Sequence, residues 1–156
     1  MRAMTATSNG FRIAADRSRC ELPGRYQCDL ELRKGQRCND LVAAWWSTVA
    51  ENEIFLSVLT IGEIRKGIEN VRRRDPRSAD ALEAWLVRVI RDHGDRILAI
   101  ELDVVEEWGR LNAPDPLPVI DGLLAATAKV RGLTLVTRNV ADIARTGIAL
   151  FNPWQS

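Results

Sequence analysis

The chain has 156 residues, which is typical of one globular domain that buries about two-thirds of its unfolded surface. Hydrophobic residues make up 46% and charged residues 28%, a balance that excludes a disordered chain. No apolar run approaches the ~20 residues needed to cross a bilayer, and no signal peptide is evident, so we expect a cytoplasmic protein with no membrane segment. With 22 Lys+Arg against 21 Asp+Glu the net charge is +1, so any nucleic-acid contact must come from local clusters.

The first 30 residues show little periodicity, and we expect poor order there. Pro23-Gly24 is a turn signal, and the three cysteines of the chain follow no metal-binding spacing. From Asn39 or Asp40 onward, apolar residues at helical spacing predict a helix that runs through Val49.

A strand and a helix are predicted next, in direct succession. Residues 54–58 are apolar and partly β-branched, which is typical of a buried strand. Thr60 and Glu63 form a T-x-x-E capping box, so Thr60 is predicted to cap the helix that follows. Another amphipathic helix should begin at Ser78 or Asp80.

The second half alternates in the same way. Residues 96–100 predict a strand, a helix with Trp108 on its apolar side follows, and three alternating prolines predict an extended loop. Apolar or small residues from Val119 to Val130 predict a helix buried on most of its surface and closed by Gly132. Residues 133–137, 139–144 and 148–151 predict a strand, a short helical turn and a last strand. This alternation predicts an α/β fold with a mainly parallel central sheet flanked by helices.

Three acids follow the predicted strands, at the edge where open parallel sheets bind ligands. Asp121 interrupts an apolar helix, where an unpaired carboxylate would cost several kcal/mol. Glu63 and Asp142 come soon after the strands at 54–58 and 133–137. Each acid also has a structural interpretation: a capping box for Glu63, a favourable helix dipole for Asp121, and a solvated loop for Asp142.

Together the three carboxylates indicate a cation site, because they would repel one another unless a cation lay between them. Oxygen ligands suit Mg²⁺ or Mn²⁺. Such an ion can bind a phosphate and activate water, so hydrolysis of a phosphodiester is the chemistry that this set favours.

Several blocks of the sequence resemble the PIN-domain ribonucleases of bacterial toxin-antitoxin modules, of the VapC and FitB kind. The blocks are residues 31–35, 56–69, 118–128, 133–142 and 152–154, in the order of that family. The resemblance implies a PIN-like domain at 31–156 after a divergent segment at 1–30. It also implies a Mg²⁺- or Mn²⁺-dependent endoribonuclease toxin that forms a homodimer and is neutralised by a cognate antitoxin.

The resemblance assigns roles to five residues, and the position of Arg138 adds a sixth candidate. Glu63, Asp121 and Asp142 match three of the family's metal-site acids and would be the catalytic residues. Thr137 and Asn139 match polar positions bordering that site, and Arg138 lies between them as a candidate contact for RNA. Further basic candidates for an RNA path are Arg65, Lys66 and residues 72–74, although a solvated face explains the last three better.

One expected acid is missing from the sequence. The family pattern opens with an apolar strand ending in Asp-(Thr or Ser)-Asn, about eight residues before Glu31, where this chain has Arg25, Tyr26 and Gln27. Asp16 and Asp29 are both out of register, and a shifted reading frame at the start of the gene would produce such a segment. We therefore expect weak metal binding and poor or absent RNA cleavage.

Two alternatives to an active nuclease remain. The first is a catalytically degenerate PIN-domain protein that only dimerises and binds antitoxin. The second is a generic α/β phosphatase, which shares the acids but does not account for the matching blocks.

Overall fold

The computed structural model describes residues 2–7, 10–14, 40–50 and 53–155. The bounds of its strands and α-helices in chain order are β1 Arg2–Thr7, β2 Gly10–Ala14, α1 Asp40–Trp46, β3 Ile54–Ser57, α2 Val58–Arg72, α3 Pro76–His93, β4 Ile97–Leu98, α4 Leu102–Leu111, α5 Val119–Arg131, β5 Leu133–Thr137, α6 Val140–Ile143 and β6 Leu150–Phe151. A 3-10 turn precedes β4 and another follows α6.

The strands form one sheet in the order β4-β3-β2-β1-β5-β6. Neighbours β3 and β4, β1 and β5, and β5 and β6 pair in parallel, as the α/β prediction requires. Every antiparallel pairing involves β2, with β1, with β3 and through a single bridge with β5. The α/β fold with parallel strands and flanking helices is confirmed, and β2 adds the antiparallel pairings.

Strands β1 and β2 lie where the sequence predicts no regular structure. Their sequences show no clear alternation of apolar and polar residues, but β1 pairs over five positions with β5 in the middle of the sheet. Tertiary pairing of this kind overrides local propensity. The expected boundary between residues 30 and 31 lies outside the described residues and stays a prediction.

Helix α2 begins earlier than the capping box predicts. Ser57 is its N-cap, and the Ser57 hydroxyl accepts a hydrogen bond of 3.2 Å from the backbone N–H of Leu59. Thr60 therefore lies inside the helix, with its side chain buried. The capping-box interpretation of Glu63 is wrong, because Glu63 stands in the second turn of α2.

Two other elements are shorter than predicted. Helix α1 ends at Trp46 instead of Val49, because the hydroxyls of Ser47 and Thr48 donate to the carbonyls of Ala44 and Trp45 and close a turn. Strand β4 is limited to two residues by the 3-10 turn before it. Helix α3 begins at Pro76 and is capped by the Asp75 carboxylate, ahead of the predicted start.

Helix α5 lies at the centre of one core cluster, as predicted. Its residues 124–128 are buried and pack with the fully buried strand β5 and with Ile143 of α6. Gly132 ends the helix with a φ of 62°, a left-handed conformation that glycine adopts without strain. A second cluster joins β3 to helices α2 and α3. In the described part of the chain, no helix has the length and apolar character required to cross a membrane.

An ion pair between α4 and α5 predicts a pH-dependent contribution to stability. The Glu107 carboxylate lies 2.7 Å from Lys129 Nζ and 3.1 Å from Arg110 Nη1, and the Lys129 hydrogen bond holds the pKa of Glu107 below its usual value. We expect Glu107→Gln to lower the free energy of unfolding at pH 7 by about 0.5–1 kcal/mol, since Lys129 is half exposed.

The effect should depend on pH with a defined sign. A lowered folded-state pKa stabilises the fold above the unfolded value of about 4.3, and this contribution is lost as the pH falls toward the folded value. Urea unfolding of both proteins between pH 7 and pH 3 measures the loss. Glu106→Gln is the matched control, because Glu106 is exposed and contacts Arg110 only at 3.5 Å. A pH-independent difference would contradict the assignment.

Candidate functional site

Asp121 and Asn139 meet at the carboxyl end of β5. Asp121 lies in the first turn of α5, and Asn139 follows β5 by two residues. The side-chain amide of Asn139 donates a hydrogen bond of 3.0 Å to Asp121 Oδ2. Two sequence-predicted site residues that are 18 positions apart are therefore in direct contact.

The surroundings of Asp121 disfavour its ionised form. Burial raises the pKa of Asp121, the hydrogen bond from Asn139 lowers it, and the negative charge of Asp142 raises it again. Asp142 lies in the short helix α6 and is exposed. The two carboxylates thus interact electrostatically, and a cation beside them would relieve both desolvation and repulsion.

Thr137 stabilises the position of Asn139. It is fully buried, and its hydroxyl accepts a hydrogen bond of 2.9 Å from the backbone N–H of Asn139. This bond fixes the turn after β5 that directs Asn139 toward Asp121. Burial of Thr137 argues for a role in holding the site instead of a direct contact with substrate.

Glu63 is not joined to this pair. Its carboxylate forms an ion pair of 3.4 Å with Lys66, one turn along α2. In strand order β1 and β2 lie between β3, which leads into α2, and β5. Among the described residues, no group of three or more His, Cys, Asp and Glu side chains is placed to hold a metal ion. Among the described residues, the structure therefore shows an interaction between Asp121 and Asp142, whereas the contact it shows for Glu63 is the ion pair with Lys66.

The strand next to β5 carries no acid. Strand β1 runs parallel to β5 with Ala6 paired to Thr137, so its carboxyl end reaches the same edge of the sheet. Residues 2–7 contain no Asp or Glu. The segment at 25–27, where the family pattern expects the first acid, lies outside the described residues, as do Asp16 and Asp29.

Two carboxylates can suffice for magnesium. Mg²⁺ is commonly held by one or two carboxylates together with water and substrate phosphates. The desolvated Asp121 and its neighbour Asp142 fit that requirement, although no group of three such acids is found in the part of the chain that the structure describes.

Arg138 is the exposed basic residue at this edge. It lies between Thr137 and Asn139, and its guanidinium carbon is 4.5 Å from the ring centroid of Trp154. Residues 152–154 belong to the blocks that carry the family resemblance, but sequence reasoning assigns no role to Trp154. Trp154 lies three residues past β6, and β6 pairs in parallel with β5. This position could have placed Trp154 close to Arg138, which follows β5.

Three of the other basic candidates form ion pairs. Arg65 and Arg72 of α2 both bind the Glu83 carboxylate of α3, and Arg72 also binds Asp80. Lys66 pairs with Glu63 within α2. The contacts of Arg65 and Arg72 join α2 to α3 and are better explained as structural than as an RNA path.

Comparisons with known proteins agree with this fold. The chain is 26% identical over 123 residues to Toxin FitB of Neisseria gonorrhoeae, covering 74% of this chain and 86% of that toxin. It is 26% identical over 121 residues to VapC ribonuclease Y4jK of Sinorhizobium fredii, covering 73% and 84%. The crystal structure of FitAcB from N. gonorrhoeae superposes with a TM-score of 0.73 at 24% identity, over 81% of this chain and 94% of that one.

A FitAB structure bound to an IR36 DNA fragment superposes with a TM-score of 0.74, over 83% of this chain and 93% of that one. At 24% identity these structural likenesses establish the fold. The PIN domain model matches residues 31–148, a span that includes α2, α5, β5 and α6 with all the candidate site residues. Because this match extends over most of its length, the chain belongs to the PIN-domain family.

Proposed function

We propose that this chain is the toxin of a type II toxin-antitoxin system, an endoribonuclease with a weakened magnesium site. The observation that carries the proposal is the Asp121 carboxylate, half-buried at the end of β5, hydrogen-bonded by Asn139 and electrostatically coupled to Asp142. The relatives named as toxins and as a VapC ribonuclease support it.

Asp121 and Asp142 are the proposed ligands of Mg²⁺ or Mn²⁺. Glu63 is the proposed third acid, because its ion pair with Lys66 is partly exposed and such pairs break at little cost. When bound, the ion supplies positive charge for an RNA phosphate and makes a bound water more acidic. Asn139 orients Asp121, Thr137 holds Asn139, and Arg138 neutralises backbone charge beside them.

The weakness follows from the acid that the site lacks. A PIN domain with one ligand fewer holds its cation with less negative charge, and β1 brings no replacement to this edge. We therefore expect weak metal binding and slow RNA cleavage. A homodimer, a cytoplasmic location and neutralisation by a cognate antitoxin complete the proposal.

An RNA cleavage assay tests the proposal. We expect a fluorogenic RNA to be cut slowly with Mg²⁺ or Mn²⁺ and not at all in EDTA. Rapid cleavage that depends on Asp121 would show that the missing acid is dispensable. Cleavage that continues in EDTA would contradict a metal-dependent nuclease.

The absence of a three-acid group among the described residues favours a second candidate, a degenerate PIN-domain protein that binds antitoxin without cutting RNA. Expression in cells separates the two. Growth arrest with RNA cleavage supports the enzyme, whereas antitoxin binding with neither supports the degenerate protein.

A further inference from the structure

The loops after β5 and β6 leave the sheet side by side. These strands pair in parallel, with Val136 opposite Phe151. Arg138 lies two residues past Val136, and Trp154 lies three residues past Phe151. Adjacent parallel strands end at the same edge, so both side chains reach the edge where Asp121 and Asn139 meet.

The guanidinium of Arg138 stacks on the indole of Trp154 at 4.5 Å from the ring centroid. Within the part of the chain that the structure describes, no acidic side chain pairs with Arg138. The N–H donors that point away from the ring stay available, and a guanidinium can bind a phosphate with two parallel hydrogen bonds.

A short turn holds the indole in place. The backbone N–H of Trp154 donates to Asn152 Oδ1 at 3.0 Å, and Asn152 Nδ2 donates to Gln155 Oε1 at 3.0 Å. Pro153 between them is buried, and Trp154 is partly buried. The backbone that carries the ring is thus fixed by hydrogen bonds that do not involve Arg138.

We propose that Trp154 is a positioning residue that holds the Arg138 guanidinium at the mouth of the Asp121 site, ready to bind an RNA phosphate. This inference rests on the proposed function. An exposed arginine with no neighbouring ring loses side-chain conformational entropy when it binds a phosphate. Contact with Trp154 already restricts the Arg138 side chain before RNA binds, so less entropy is lost on binding.

RNA binding without cleavage tests the role of Trp154. A fluorescein-labelled single-stranded oligoribonucleotide is titrated in EDTA and followed by anisotropy at several salt concentrations. We expect Arg138→Ala to weaken binding and to flatten the salt dependence by about one phosphate contact. Trp154→Leu should weaken binding about two- to fivefold, the range expected for an exposed cation–π contact, and Trp154→Phe should retain most of the affinity.

A double-mutant cycle separates positioning from a loss of structure. On the Arg138→Ala background, Trp154→Leu should have no further effect on RNA affinity, whereas a purely structural defect would weaken binding in both backgrounds. Equal losses in the two backgrounds would overturn the inference, as would Trp154→Phe behaving like Trp154→Leu.

The experiment distinguishes failure of the inference about Trp154 from failure of the proposed function. If the parent chain binds RNA and Arg138→Ala changes nothing, the inference and the proposed role of Arg138 fall, and the metal-dependent nuclease at Asp121 stands. If the parent chain neither binds RNA in EDTA nor cleaves it with Mg²⁺, both are overturned.

Discussion

Replacing Asp121 by Asn is expected to weaken Mn²⁺ binding by at least about tenfold and to abolish the remaining metal-dependent cleavage of RNA. The amide oxygen of the new side chain can still accept the hydrogen bond from Asn139, but it brings no negative charge. Titration calorimetry with Mn²⁺ and the fluorogenic RNA assay measure the two losses.

The same variant should be at least as stable as the parent at pH 7. Burial raises the folded-state pKa of Asp121, so the fold disfavours the ionised carboxylate. The parent protein therefore loses stability as the pH rises from about 3.9 through the folded-state value, and the neutral Asn does not. Urea unfolding from pH 4 to pH 7 checks this sign.

Asp95→Asn is the matched control for charge. Asp95 is exposed in the turn before β4, so the substitution changes net charge by the same amount far from α5. It should leave metal affinity unchanged. Wild-type Mn²⁺ affinity in the Asp121 variant would remove this residue from the site.

Replacing Gly122 by Ala is expected to destabilise the fold by about 1–3 kcal/mol. A Cβ at this position would lie 2.9 Å from Trp108 Nε1 and 2.9 Å from Asn112 Nδ2, both on the side of α4. Asn112 cannot move freely, because its amide donates to the Trp108 carbonyl and accepts from the backbone N–H of Leu117. The clash outweighs the usual gain of about 1 kcal/mol for alanine in a helix.

Gly67→Ala in α2 is the matched control, because it measures the stability gained from alanine in a helix without a steric clash. Gly67 is exposed in the helix interior, and a Cβ there meets nothing within 4 Å. Equilibrium urea unfolding should show a gain of about 0.5–1 kcal/mol for this variant and a loss for Gly122→Ala. A gain in both would mean that α4 and α5 are less closely packed than the structure indicates.

Much of the fold around β5 follows from local sequence. The apolar run of α5, the stop at Gly132 and the strand after it are confirmed, because burial, helix capping and β-branching agree there. The rule that ligands bind beyond the ends of parallel strands pointed to Asp121 and Asp142 as site residues, and the family resemblance pointed to Asn139. Their hydrogen bond is visible only in the structure.

Other features depend on pairings that local patterns do not encode. The start of α2 was misplaced because both Ser57 and Thr60 are good N-cap residues, and only the end of β3 decides between them. Strand β1 forms because β5 offers it hydrogen bonds from 131 residues away, as in the pairing of Arg2 with Leu133.

The position of β1 and β2 between β3 and β5 also constrains how the sheet can assemble. The first strands leave the ribosome long before β5 exists, so the two sides of the sheet stay unjoined until the C-terminal third has been synthesised. Closure across such a long stretch of chain carries a large entropic cost and makes folding slow. The contact between Asp121 and Asn139 therefore depends on a strand that is synthesised late, and we expect it to form after β1 and β2 have paired.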